Sequence, residues 1–196
     1  MKRREALKKT ALLMGYAVSA SAITGVMSGC QADTKTPADQ WQPQIFSDLQ
    51  ISTLREAAER ILPRTEGIVG AKDVMVERFA DKMYHSFYKP EQATNFKAGL
   101  DQLEMDAKSV YNKSFANLSN EQMDEMITAL MEKAKANQGA TGADTPFFFP
   151  LKEITLLGFY TSEQVGEKVL NYDPVPTAYD GCMPLENVPN GRTWSS

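Results

Sequence analysis

The chain has 196 residues, 42% of them apolar, with 21 lysines and arginines against 25 aspartates and glutamates and a formal net charge of −4. That length suits one domain with a real hydrophobic core. Five basic residues (Lys2, Arg3, Arg4, Lys8, Lys9) and one acidic residue (Glu5) fall within the first 29, so the remainder holds 16 basic against 24 acidic, a net −8; this argues against nucleic acid and anionic membrane surfaces as partners, because phosphate binding needs clustered Lys and Arg.

Residues 1–29 read as a twin-arginine-type lipoprotein signal peptide. Met1 to Lys9 is a basic n-region, and Thr10 to Val26 is an apolar stretch diluted by Gly15, Tyr16, Ser19 and Ser21, which is not a membrane span. Lys2-Arg3-Arg4-Glu5-Ala6-Leu7-Lys8 keeps the paired arginines, the apolar residue three positions on and the following lysine, and departs at Ala6, where an aromatic is usual. Met27-Ser28-Gly29-Cys30 resembles a lipobox, with Cys30 the site of lipidation. Two or three acyl chains would anchor the chain to a membrane on its periplasmic side. Cys182 would then be the one remaining thiol, which leaves no intrachain disulfide framework. Export in the folded state usually serves a protein carrying a cofactor, so the pattern raises the question of which cofactor.

Residues 30–44 are polar, carry Pro37 and Pro43 and read as a flexible tether. Residues 45–170 read as an all-α domain of about five helices. Ser47 with Gln50 forms a capping box behind Phe46, followed by Ile51, Leu54, Ala58, Ile61 and Leu62 at helical spacing and a stop at Pro63. After the loop 64–72, Asp73 is placed as the N-cap of a second helix with Val76, Phe79, Ala80, Met83 and Phe87 inward. Pro90 opens a third, with Phe96, Leu100, Leu103, Ala107, Val110 and Tyr111 inward. Ser119 and Gln122 repeat the capping box before a fourth, with Met123, Met126, Ile127, Leu130 and Ala134 buried. Residues 136–145 are a Gly- and Ala-rich loop. Phe147-Phe148-Phe149-Pro150 starts a strongly apolar fifth helix over about 151–160. Residues 171–196, with Pro174, Pro176, Pro184 and Pro189, form an extended tail too long for an ordinary loop, expected to be disordered or packed on a partner. No segment reads as a strand.

Candidate chemistry is sparse. Gly67-Ile68-Val69-Gly70-Ala71 lies between helices, not after a strand, and reads as a turn, not a dinucleotide cradle. There is no C-x-x-C-H for haem and no thiolate cluster. His85 is the single histidine, without a second ligand for a metal. Glu77 with Asp81 and Glu121 with Glu125 are i,i+4 pairs that read as solvated acidic faces. The sequence therefore assigns no catalytic, cofactor-binding or metal-ligating residue. Three consecutive aromatics at a helix start cannot all face one core, so Phe147 and Phe148, with Tyr160, Tyr172, Tyr179, Cys182 and Trp194, are candidate partner contacts.

Several segments together resemble the gluconate 2-dehydrogenase subunit 3 family. They are the twin-arginine leader, Ile61-Leu62-Pro63-Arg64-Thr65, Gly70-Ala71-Lys72-Asp73-Val74, Phe96-Lys97-Ala98-Gly99-Leu100 and Phe115-Ala116-Asn117-Leu118-Ser119. Phe148 through Ser162 and Tyr179-Asp180-Gly181-Cys182 complete the set, in an order and spacing that covers most of the chain after Phe46. The sequence departs at Glu66-Gly67-Ile68-Val69, where the family commonly has a proline before Gly-Ala. The resemblance implies a non-catalytic small subunit, working with a glucose-methanol-choline-type large subunit that holds FAD and a cytochrome c subunit that carries haem. Such complexes include gluconate 2-dehydrogenases and glucoside 3-dehydrogenases, and the small subunit supports maturation and export of the flavoprotein. Two other readings stand beside it: a stand-alone ligand-binding periplasmic lipoprotein, and a subunit lending His85 or Cys182 to a shared active site.

Overall fold

The computed structural model describes residues 41–137, 139, 145–173, 175, 180, 182–188 and 191–194; the unit described below is Pro43–Ser196. Arg3, Arg4, Cys30 and Tyr179 lie outside the described residues.

Helix α1, Asp48–Ile61, starts where local chemistry dictates. The Ser47 hydroxyl accepts from the Gln50 amide at 3.2 Å, and the Gln50 side chain accepts from the Ser47 amide at 3.0 Å. Each bond satisfies an N–H that the first helical turn leaves without a partner. The next helices are α2, Val76–Ser86, and α3, Pro90–Tyr111, the latter opened by a proline whose missing N–H costs nothing at a first-turn position. A single 3₁₀ turn at Phe115–Asn117 leads to α4, Asn120–Ala136, opened by the Ser119–Gln122 capping box. Helix α5, Phe148–Tyr160, is strongly apolar, burying Phe148, Leu151, Ile154, Gly158 and Phe159 while Lys152, Glu153 and Tyr160 face outward. A short α6, Glu163–Lys168, is capped by Ser162 and has no counterpart in the sequence reading. The fold is all-α: six helices and no strand among the described residues, the only β features being two isolated bridges.

Helix α1 sits at the centre and touches α2, α3, α4 and α5. The main core joins Leu54 and Ala57 of α1, Ala80 and Tyr84 of α2, Phe96, Leu100, Leu103 and Ala107 of α3, Met123 and Ile127 of α4, and Leu151 and Ile154 of α5. A smaller cluster of Ala58, Ala71, Val76, Phe159 and Val165 closes the opposite end. Full burial of each large apolar side chain contributes about 1.5–3 kcal/mol.

Several sequence expectations need correction. Asp73 does not cap α2. Met75 precedes that helix in the left-handed conformation (φ 54°), and the first-turn amides bond to carbonyls of the preceding turn, Val76 to Ala71 and Arg78 to Met75, so no side-chain cap is required. Phe87, placed inward, is 71% exposed because it follows the end of α2 and leaves the helical face. Val110 is 67% exposed, since the inner stripe of α3 runs through Ala107 and Tyr111 and leaves Val110 on the outer face. Glu77 and Asp81, read as solvated, are buried at 5% and 1% exposure. The three aromatics of Phe147 to Phe149 do all reach one core: Phe148 is buried and its two neighbours pack partly buried against the same cluster.

Candidate functional site

Buried acids dominate the polar interior, and three of them, Asp81, Glu59 and Glu104, fix loops. Asp81 accepts from three consecutive amides of the entry segment, Gln44 at 2.7 Å, Ile45 at 3.0 Å and Phe46 at 3.1 Å. Glu59 accepts from Arg64 at 3.0 Å and Lys72 at 2.9 Å, spanning both ends of the loop after α1. Glu104 accepts from the Phe115 amide at 3.0 Å and shares the Thr53 hydroxyl, at 3.3 Å, with the Leu49 carbonyl. Lys108 Nζ lies 3.3 Å from the other Glu104 oxygen, a charge contact without hydrogen-bond geometry. Burial raises the proton affinity of Glu104, but the Phe115 amide, the Ser114 hydroxyl and Lys108 outweigh it and hold the carboxyl below its ordinary value. Without strands, irregular backbone has few carbonyl partners, and a carboxylate supplies the acceptor.

Glu77 is the exception. One of its oxygens is buried without a hydrogen-bond partner, and burial pushes its pKa above the ordinary glutamate range despite the charges of Arg55, Arg78 and Lys72.

The loop 64–72 is a tight turn held by the buried Glu59. Thr65 and Ile68 exchange two backbone bonds of 3.1 Å around Gly67, whose φ of +77° belongs to a tight turn. Gly70 donates to Asp73 at 2.7 Å, and a Cβ on Gly70 would lie 2.6 Å from the Glu59 carboxylate. The Arg64 guanidinium pairs with Asp73 and, with the Gly70 amide, holds that carboxyl below its usual range. The amides of Arg64, Gly70 and Lys72 are thus occupied by the chain's own acids, and those of Thr65 and Ile68 by each other's carbonyls.

An aromatic cleft at the other face has a different character. It lies where the end of α2, the start of α3 and the start of α5 meet, encloses about 630 Å³, and is lined by Tyr84, Tyr88, Gln92, Asn95, Phe149 and Glu153 among others. Tyr84 stacks on Tyr88 on one side and Phe96 on the other, with ring centroids 4.4 Å apart in both pairs. Phe147 meets Phe96 edge-on at 5.3 Å. That approach requires Gly99, because a Cβ there would fall within the Phe147 ring. Tyr84 is 3% exposed, yet its hydroxyl makes no hydrogen bond to a described residue. Desolvation, then the neighbouring Tyr88 and the Glu153 carboxylate, raise the Tyr84 pKa; desolvation and Glu153 raise that of Tyr88. The Glu153 carboxylate therefore sits within electrostatic reach of both phenols.

The other residues singled out in the sequence lie elsewhere. His85 is exposed, as are Glu121 and Glu125, the latter accepting from the Tyr111 hydroxyl at 2.9 Å. Tyr160, Tyr172 and Trp194 are 44%, 56% and 47% exposed, and Cys182 is exposed with its amide bonded to Asp180. The described part of the tail folds back on its own chain: Asn171 donates to the Thr193 carbonyl at 2.8 Å, beside a parallel bridge to Trp194, and Arg192 donates to the Lys168 carbonyl. Among the described residues no cluster of three or more His, Cys, Asp or Glu could hold a metal ion. No helix among them is long and apolar enough to cross a membrane.

The fold and its polar groups define a helical domain tied together by buried carboxylates, with an open aromatic cleft at one face. The sequence model of gluconate 2-dehydrogenase subunit 3 matches residues 48–177, well over half of the chain, and the chain belongs to that family, whose name marks it as a subunit of a gluconate 2-dehydrogenase complex. Neither the curated proteins nor the solved structures contain a match to it.

Proposed function

We propose that this chain is the non-catalytic small subunit of a membrane-associated dehydrogenase complex acting on a sugar, sugar acid or glucoside. The family match over residues 48–177 carries this reading. In it, FAD resides in a glucose-methanol-choline-type partner and haem in a cytochrome c subunit, while this chain supports maturation and export of the flavoprotein. The loop around Gly67 and Gly70, closed by Glu59 and Asp73, supports placing the flavin in another subunit. Arg3 and Arg4 direct the loaded complex through the twin-arginine route, and a lipid on Cys30 holds it at the membrane.

Replacing Arg3 and Arg4 together with lysine tests the export role. The expected outcome is that the flavoprotein accumulates in the cytosol and periplasmic dehydrogenase activity falls about tenfold or more. Active flavoprotein reaching the periplasm in normal amount from the variant would show that this chain does not carry it.

A further inference from the structure

The cleft between α2, α3 and α5 contains polar groups with no partner among the described residues. Glu91 and Glu153 line it, and neither takes part in a hydrogen bond or ion pair with a described residue. Tyr84 also belongs to the lining, and its hydroxyl makes no hydrogen bond to a described residue. Around these acceptors stand the rings of Tyr88 and Phe149, both partly buried against the core.

Aromatic faces beside carboxylates attract a cation, and a planar guanidinium suits the pair best, since it stacks on rings and bonds carboxylates through several donors. The charge balance agrees, with two carboxylates and one ammonium, that of Lys89, among the lining residues. A flat hydrophobic ligand would leave both carboxylates and the phenol unpaired. A phosphate or carboxylate ligand would meet like charge from Glu91 and Glu153.

We infer that this cleft is the receptor for an arginine side chain presented by a partner protein, its guanidinium held by Glu153 and Glu91 against the Tyr88 and Phe149 rings, with the Tyr84 hydroxyl as an added polar contact. The inference rests on the proposed function only in naming the partner, a segment of the flavoprotein subunit.

Ring-carbon NMR of the full chain tests the site without any partner. The probe is the blocked tripeptide Ac-Ala-Arg-Ala-amide, and its citrulline isostere is the uncharged control. The arginine peptide should shift the Tyr84 and Tyr88 resonances saturably, with a Kd on the order of millimolar, as befits one side chain. Citrulline, and the Glu153→Gln variant with the arginine peptide, should each bind roughly fivefold to tenfold more weakly. Equal binding of the citrulline peptide, absence of shifts at those rings, or tighter binding of free glucose at the same rings would overturn the arginine site. A second arm uses the complex: the Glu91→Gln/Glu153→Gln double variant should retain about a tenth of the flavoprotein that the wild-type chain retains. Undiminished retention would overturn the assignment of the arginine to the flavoprotein, whereas a wild-type chain that retains no flavoprotein would overturn the proposed function and leave the peptide result intact.

Discussion

Two sets of carboxylates divide the molecule. Glu59, Asp81 and Glu104 are buried on α1, α2 and α3 respectively, and each accepts backbone amides from a loop that would otherwise cross the bundle without partners. Glu91 and Glu153 belong to the same helical body, yet they border an open cleft and take part in no hydrogen bond or ion pair with a described residue. The difference lies in surroundings alone: a carboxylate facing backbone N–H groups at low dielectric is part of the architecture, and one facing aromatic rings and solvent is free to recognise something else. The first set should govern stability, and the second should govern association.

The largest effect is expected at Asp81. Replacing it with Ala leaves three amides short of an acceptor at the entry to α1, at a cost of about 3–5 kcal/mol and a fall in Tm of roughly 10 °C by calorimetry. Asp81→Asn, which keeps one acceptor oxygen, should lose less.

Glu104→Gln should cost about 2 kcal/mol at neutral pH, with a pH signature. Because the folded-state pKa of Glu104 lies below the unfolded value, its contribution is complete above the ordinary glutamate pKa of 4.5 and is lost as pH falls through the folded value. Urea titrations from pH 7 to pH 3 should therefore show the wild type losing its advantage over the variant as the acid range is entered.

Glu77 reverses that sign. Its folded pKa is raised, so the folded state binds more protons than the unfolded one between 4.5 and the folded value, and stability falls as pH rises through that window. Glu77→Gln should stabilise the protein at neutral pH and flatten this part of the pH profile. A loss of stability at neutral pH would show that attraction to the charges of Arg55, Arg78 and Lys72 outweighs burial.

Smallest of all should be the stability change in the Glu91→Gln/Glu153→Gln double variant, within about 0.5 kcal/mol of wild type. A loss of 2 kcal/mol or more would erase the distinction between the two carboxylate sets.

The sequence made the local features legible. The Ser47–Gln50 and Ser119–Gln122 capping boxes and Pro90 at the start of α3 depend on residues within one turn of each other, and all stand where the spacing places them. Contacts between distant segments were hidden. Whether Asp81 is solvated depends on where residues 44–46 cross α2, 35 or more positions earlier in the chain, and no periodicity encodes that crossing. Asp73 looked like a cap because it precedes an apolar stripe, but a backbone turn already satisfied the helix and Arg64 drew the carboxylate away. Phe147 could join the core because Gly99, on another helix, leaves room for its ring. The cleft joins residues 84–95 with 147–153 and has no local signature at all. Its one advance signal was the aromatic run at Phe147, which raised the question of a partner without locating the surface.

Purification of the tagged full chain from its native cell, with flavin fluorescence and dye-linked dehydrogenase activity measured on the eluate, tests the central claim most directly. The account predicts a stoichiometric flavoprotein that oxidises a sugar, sugar acid or glucoside and remains with this chain through size-exclusion chromatography. A chain that elutes alone, without flavin or activity, from cells whose dehydrogenase is present and active would contradict it.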